Sequence, residues 1–531
     1  MMPYYWTGLY FGLPLIALLL PMMLTALSET VKPRLVRSKP TFQTLMIRLA
    51  NIMASLSLLW QGGLAYIGHS GTGKSQSLLQ MASSLFDLID KGHKMILIFA
   101  GPRGDFEKLA RARIAASPNK NIDFINPDFL DPQCQAWLID EEVKSPLDIR
   151  QFAALIVAKL KNTNEFFEKG VMGLVTTVIS RLYEMSLINP KVQCDLRTIC
   201  LICQDRLLLR RFVFADKNLR KKYAAHLAAK GRLSKDFFAS ISQAIEDFST
   251  IAAGYSRAAG DGVKGNRMSV ESIFTTSNSV VVHLPVSIDK TESYRPLTEA
   301  FLRKLIEKAL SNRGDPETLA PTIFIFDEVH YQFKFLSDAL KDLFNRLRTF
   351  GRGNKVGVAA TFQTKPSLDD SLGRDAGDDM WDNFQNKVMY QCHNRTAREM
   401  AEDVGKEEVY IREKHTPISK PPVYTRETRH VIPPQKFSAL PLANRSLDRI
   451  QCYVRLNAIQ AVWLASFPFV KFAEWLRTLK LPKQEHFSYE DLKLDPFDPD
   501  EMDALGLLSK KQKAKMPGHK PNIRNKSPFS P

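Results

Sequence analysis

Apolar residues along this chain fall into three patterns, and each predicts a different kind of element. The first is a run without a single charge, residues 8–27, GLYFGLPLIALLLPMMLTAL. Twenty residues at helical rise cover about 30 Å, the thickness of a bilayer's hydrocarbon core. The second is a series of short continuous apolar runs of strand length, at 64–67, 95–99, 122–125, 280–284, 322–326, 355–361 and 387–390. They alternate with stretches of helical period, which predicts an α/β domain with a doubly wound, parallel sheet. The third covers residues 146–275, where QFAALIVAKL and GLVTTVISRLYEM carry apolar positions at helical spacing. That stretch predicts an all-helical subdomain inserted into the sheet domain.

The flanks of the 8–27 run give it an orientation. Tyr4, Tyr5 and Trp6 stand where an interfacial aromatic belt belongs, and Lys32, Arg34, Arg37 and Lys39 follow the run. Cations after the span put the long C-terminal part in the cytoplasm. A cleaved signal peptide is the competing reading, but the basic leading segment of such peptides is missing. A second apolar stretch, 45–60, contains Arg48 and Asn51. It reads as an amphipathic helix at the membrane surface, with a second span as the alternative. Residues 453–469 are apolar again and read as strands closing the sheet domain.

Composition adds a partner class. The formal charge is +17, of which seven units (Lys510, Lys511, Lys513, Lys515, Lys520, Arg524, Lys526) lie in a tail with no acid from 504 onward. Ten units remain on the body, a balance that suits nucleic acid or an anionic membrane surface. The acidic stretch EDLKLDPFDPDEMD before this tail and the tail itself read as solvated and disordered. Six scattered cysteines in so long a chain indicate a reducing compartment, and the lone C-x-x-C at Cys200 and Cys203 reads as structural thiols.

Two motifs carry chemistry. Gly68-His69-Ser70-Gly71-Thr72-Gly73-Lys74-Ser75 fits G-x-x-x-x-G-K-[ST], between an apolar strand and a helical stretch that ends near Gly92. In that context the glycines let backbone N–H groups form an anion-binding nest at a helix N-terminus. Lys74 then reaches the β- and γ-phosphates of ATP, and Ser75 places its hydroxyl on Mg²⁺. The second motif is the apolar run Thr322–Phe326 ending in Asp327-Glu328. An acid at the tip of a buried strand needs a cation, so Asp327 is predicted to hold Mg²⁺ and Glu328 to polarise the attacking water. Gln363, just past the run 355–361, sits where a polar amide senses the γ-phosphate. Arg346, Arg348 and Arg352 are candidates for an arginine finger acting on a neighbouring subunit, with solvated helix charges as the alternative.

Several further segments stand in an order that resembles the coupling ATPases of conjugation and type IV secretion, the TraG/TraD group. They are FINPDFLDPQCQAW, NEFFEKGVMGLVTTVISRL, ESYRPLTEAFLRKLIEKAL, the stretch from FIFDEVHYQ to GNKVGVAATFQTKPSL, and WDNFQNKVMYQCHNRTAREMAEDVG. The resemblance covers residues 8–412. It implies a RecA-like ATPase working as a homo-hexamer at the bacterial inner membrane. Such a ring pumps single-stranded DNA with its relaxase, or protein effectors, into a type IV secretion channel. The chain departs from the family pattern in two places. The second strand leads into Ala100-Gly101-Pro102-Arg103-Gly104-Asp105, without the usual acid, and the N-terminus has one clear span where two are usual.

The organisation expected is therefore an anchor at 1–30, a membrane-proximal linker at 31–61, and ATPase parts at 62–145 and 276–475. The helical insert at 146–275 interrupts the ATPase, and a charged tail occupies 476–531. Two other functions share such a motif set: a double-stranded DNA translocase of the FtsK/HerA type, and a phage-assembly or protein-secretion ATPase. FtsK-type chains end in a winged-helix reader, and no such pattern is visible here.

Overall fold

The computed structural model of the chain describes residues 46–49, 52–102, 104–137, 139–157, 165–227, 232–259, 267–284, 291–312, 319–333, 338–412, 424–443, 449–457, 461–468 and 486–508. The span expected at 8–27 and the basic tail from 509 lie outside these residues.

In chain order the strands are β1 (Met46–Leu49), β2 (Ile52–Ser55), β3 (Leu64–Ile67), β4 (Ile96–Ala100), β5 (Ile122–Ile125), β6 (Ala136–Trp137), β7 (Arg267–Met268), β8 (Ser279–Leu284), β9 (Thr322–Phe326), β10 (Val356–Phe362), β11 (Asn386–Met389), β12 (Lys406–Arg412), β13 (Tyr424–His430), β14 (Arg449–Leu456) and β15 (Ala461–Pro468). Nine of them form one sheet in the order β15-β14-β11-β3-β10-β9-β4-β8-β5. The seven strands from β11 to β5 run parallel, and β14 and β15 extend the sheet antiparallel. The mixed α/β class expected from the alternation of runs and helical stretches is the one observed.

Why the strands are continuously apolar is visible in their side-chain alternation. Ile98, Phe324, Phe326, Val358 and Ala360 join one core, shared with the inserted helices. Their neighbours Leu97, Phe99, Ile323, Ile325 and Ala359 join the other, where Leu78, Leu85 and Phe86 of the helix Lys74–Asp90 cover the sheet. No central position faces water, so no position is polar by default.

Between β6 and β8 the described residues are helical apart from connections and β7, as Ile139–Glu142, Pro146–Val157, Glu165–Ile188, Leu196–Gln204, Arg206–Phe214, Lys217–Leu227, Arg232–Ala259 and Val270–Thr275. Two aspartates punctuate this run. Asp195 accepts from Thr198 N, and Asp205 accepts from Leu207 N and Leu208 N, so each starts a new helix. Glu168–Ile188 is long and apolar enough to cross a membrane. However, Val171, Leu174, Val175, Val178, Ile179 and Leu182 are fully buried at helical spacing, which makes it the core helix of this subdomain. Cys200 and Cys203 are buried free thiols, and burial pushes Cys203 up to about 12. Among the described residues no cluster of His, Cys, Asp or Glu could hold a metal.

Two expectations are corrected. The stretch 45–60 is not an amphipathic helix: β1 and β2 pair as an antiparallel hairpin, followed by a 3-10 turn at Leu56–Leu59. Met46, Ile47, Arg48 and Leu49 alternate exposed and buried, a period of two. Arg48 N donates to Ser84 Oγ at 3.2 Å, fixing the hairpin on the helix Lys74–Asp90.

The acidic stretch after 482 is not solvated throughout either. Residues 486–508 form a strap across the helical subdomain, with Leu492, Leu505 and Leu507 buried. Arg197 pairs with both oxygens of Glu501 at 2.7 and 3.1 Å and also donates to the Asp495 and Pro496 carbonyls. Arg211 donates to Leu507 O at 3.1 Å, Phe487 N to Leu130 O at 2.8 Å, and the Arg257 guanidinium lies 4.9 Å from the centre of the Phe487 ring. Acids that read as solvated in sequence are spaced by leucines and aromatics, and these together with Arg197 and Arg211 hold the strap down.

Candidate nucleotide site

The parallel strands β3, β4, β9, β10 and β11 end on one edge of the sheet, where ligands of such sheets bind. Residues 68–73 leave β3 at that edge and turn into the helix Lys74–Asp90. The turn depends on glycine at two places. Gly73, at the helix N-cap, has φ 97°, a left-handed conformation that disfavours a side chain. Gly68 passes so close to β11 that an added Cβ would lie 2.6 Å from the Tyr390 Cβ. Distant segments hold the loop from outside: Gly68 N donates to Phe362 O, His69 N to Gln391 O, and Ala443 N to Gly71 O.

Inside the loop, Lys74 is 4% exposed and donates from Nζ to His69 O at 2.9 Å. A buried ammonium needs such an acceptor, and the loop supplies it from its own backbone. Thr72 Oγ1 donates to the same carbonyl at 2.8 Å.

Asp327 and Glu328 follow β9 on the same edge, both buried. Ser75 Oγ donates to the Asp327 carboxylate at 3.0 and 3.1 Å, joining the two sequence motifs. Thr361, on β10 beside β9, ties both acids: its Oγ1 donates to Asp327 Oδ1 at 2.6 Å and accepts from Glu328 N at 2.7 Å. Gln332 Nε2 donates to the Ala100 and Asp327 carbonyls at 3.0 and 2.7 Å, fixing the backbone on either side. Glu328 has φ 54°, one of three non-glycine residues in the left-handed region among those described. That turn separates its carboxylate from Asp327's and aims it at Gln363, whose Nε2 donates to Glu328 Oε2 at 3.3 Å.

The hydroxyl of Ser75 and the carboxylate of Asp327 are hard oxygen donors in mutual contact, the set that suits Mg²⁺ with phosphate and water completing its shell. Lys74 and the loop N–H groups are the donors that could hold phosphates. Two histidines at the site have pKa values lowered from that of free imidazole. Burial lowers His69, with His393 and Lys74 adding to it, and burial lowers His330, with Lys74 adding to it and Glu328 and Asp327 opposing.

Of the residues predicted from sequence, the structure brings together the loop 68–75, Asp327, Glu328 and Gln363. It does not bring Arg346 or Arg352 to the chain's own loop. Arg352 lies in the turn Gly351–Asn354 before β10, at the opposite edge of the sheet. Arg346 lines a cleft of about 650 Å³ with Glu141, Asp148, Lys304 and Glu307. Arg348 belongs to the same helix, Asp338–Phe350. Thr361, Gln332 and His330 were missed, and a threonine at the end of a buried strand was the one available signal. Where the usual acid after the second strand is absent, Ala100 O accepts from Asp327 N at 2.9 Å and a Cβ on Gly101 would meet the Phe106 ring at 3.0 Å.

No match is found among curated proteins. Among solved structures the fold is similar to the bacterial conjugative coupling protein TrwBdeltaN70 in an unbound form, at 18% identity and a TM-score of 0.55. It is also similar to the plasmid coupling protein TrwB in complex with ADP and Mg²⁺, at 18% identity and 0.54, and to TrwB with the non-hydrolysable ATP analogue ADPNP, at 19% and 0.54. Each comparison covers 82% of this chain and 90% of the other. The family described as the type IV secretion-system coupling protein DNA-binding domain matches residues 51–458. With that match running from β2 through the nucleotide loop, the helical insert and the acid pair to β14, the chain belongs to the type IV secretion-system coupling protein family.

Proposed function

We propose that this chain is an ATP-hydrolysing coupling protein. It recruits substrate, single-stranded DNA with its relaxase or protein effectors, and drives it into a type IV secretion channel. The Ser75–Asp327 contact carries the reading, because it unites a phosphate loop and a metal-holding acid in a chain of the coupling-protein family. TrwB, with the same fold, binds ADP with Mg²⁺ and an ATP analogue. In this chain Lys74 and the loop N–H groups bind and orient the phosphates. Ser75 and Asp327 would hold Mg²⁺, which would supply positive charge against the phosphates. Glu328, oriented by Gln363 and Thr361, accepts a hydrogen bond from the attacking water and so directs it at the γ-phosphorus. The test is whether hydrolysis responds to nucleic acid and to which form: single strands should accelerate it and duplex should not.

Residues 8–27 serve as a single-pass anchor in the bacterial inner membrane, with the long part after them cytoplasmic, and the working form is a homo-hexamer. In that ring one of Arg346, Arg348 and Arg352 acts on a neighbour's nucleotide. The uncharged length of 8–27 and the cations after it support the anchor. Deleting residues 1–30 should release a soluble protein with weaker self-association. Material still integral after carbonate washing would contradict a sole anchor at 8–27.

A further inference from the structure

One imidazole beside the acid pair has no part in the mechanism above. His330 lies two residues after Glu328, in the first turn of the short helix Val329–Phe333. Glu328 has a left-handed backbone, and the short helix that follows sets this ring alongside its carboxylate. Its Nδ1 is 3.6 Å from Glu328 Oε2, buried, and without a hydrogen-bond partner in the resting geometry. The same oxygen accepts from Gln363 Nε2 at 3.3 Å on the other side. Hydrogen bonds of this kind are commonly long before substrate binds and tighten in the reacting complex.

We propose that His330 is a positioning residue for Glu328, donating from Nδ1–H to Oε2 when nucleotide is bound. With Gln363 it forms a two-sided clamp that leaves Oε1 to accept from the attacking water. The inference rests on the ATPase reading. Burial disfavours the cationic ring, with Lys74 adding to that and Glu328 and Asp327 opposing, and neutral imidazole has one N–H to give. A proton on Nδ1 turns a buried unpaired nitrogen into a donor facing a carboxylate, whereas a lone pair there would face like charge.

The clamp makes a stereochemical demand that a packing role does not. Asparagine places its amide nitrogen at the distance of Nδ1, and glutamine reaches one bond further, to the distance of Nε2. In the full-length chain, His330→Ala should lower kcat at least tenfold while leaving the KM for ATP and the displacement of a fluorescent ATP analogue unchanged. His330→Asn should recover to within about threefold of wild type, and His330→Gln should resemble the alanine variant. Equal loss in the Asn and Gln variants, or loss of nucleotide affinity together with turnover, would assign His330 to packing and overturn the clamp. Wild-type turnover in His330→Ala would overturn it while leaving the ATPase reading intact. Absence of Lys74-dependent hydrolysis in the wild-type chain would overturn both.

Discussion

Replacing Lys74 by alanine should abolish ATP turnover while leaving the protein folded. The ammonium is the one cation of the loop itself, and the transferred phosphoryl group gathers charge that must be met by groups already in place. Loss of one such preorganised donor costs about 10²- to 10³-fold in turnover, and a full charge at the γ-phosphate sets the expectation at or beyond that range. The fold should survive for local reasons. Thr72 still donates to His69 O, and Leu78, Leu85 and Phe86 keep the helix Lys74–Asp90 on the sheet. Phosphate release and a thermal melt, measured on the same preparation, check both halves. Hydrolysis at the wild-type rate would remove the loop from the mechanism.

The two acids after β9 should fail in different ways. Glu328→Gln keeps the shape of the side chain but loses the charge that polarises water, so turnover should fall by about 10²- to 10⁴-fold. Nucleotide affinity should hold, because Ser75 and Asp327 still face each other. Asp327→Asn instead weakens the metal side: Mg²⁺-dependent nucleotide affinity should drop along with turnover. Equilibrium binding with and without Mg²⁺, compared with single-turnover hydrolysis, separates the two. Collapse of affinity in Glu328→Gln with turnover retained in Asp327→Asn would mean that the roles of the acids are reversed.

Most of the sheet was legible because a strand buried on both faces must be apolar at every position, as in Thr322–Phe326. The loop 68–75 and the Asp327-Glu328 pair were legible because chemistry fixes their residue types and their place at strand ends. Thr361 and Gln332 were not, since a hydroxyl or amide near a strand tip carries no signal of which distant acid or carbonyl it meets. The 46–55 hairpin is hard to read because its apolar count suits a helix as well as the short two-residue alternation of β1. The strap at 486–508 is hard to read for a different reason. Its acids and prolines look solvated, and the partners that hold it, Leu130, Arg197, Arg211 and Arg257, stand hundreds of residues earlier in the chain. Charge composition registers neither such pairing nor the burial of Leu492, Leu505 and Leu507.

A coupling ATPase does more than bind nucleotide: its hydrolysis must answer to the polymer it moves. The measurement that tests this most directly is steady-state ATP hydrolysis by the full-length chain at low ionic strength, alone and with single-stranded or duplex DNA of equal phosphate concentration. Equal phosphate matters because a chain of formal charge +17 attracts any polyanion. The expected result is acceleration by single strands, little response to duplex, and no hydrolysis by Lys74→Ala in any condition. Acceleration by duplex in place of single strands would contradict the account in favour of a double-strand translocase. Lys74-dependent hydrolysis indifferent to both forms would contradict DNA coupling and leave an ATPase that handles protein.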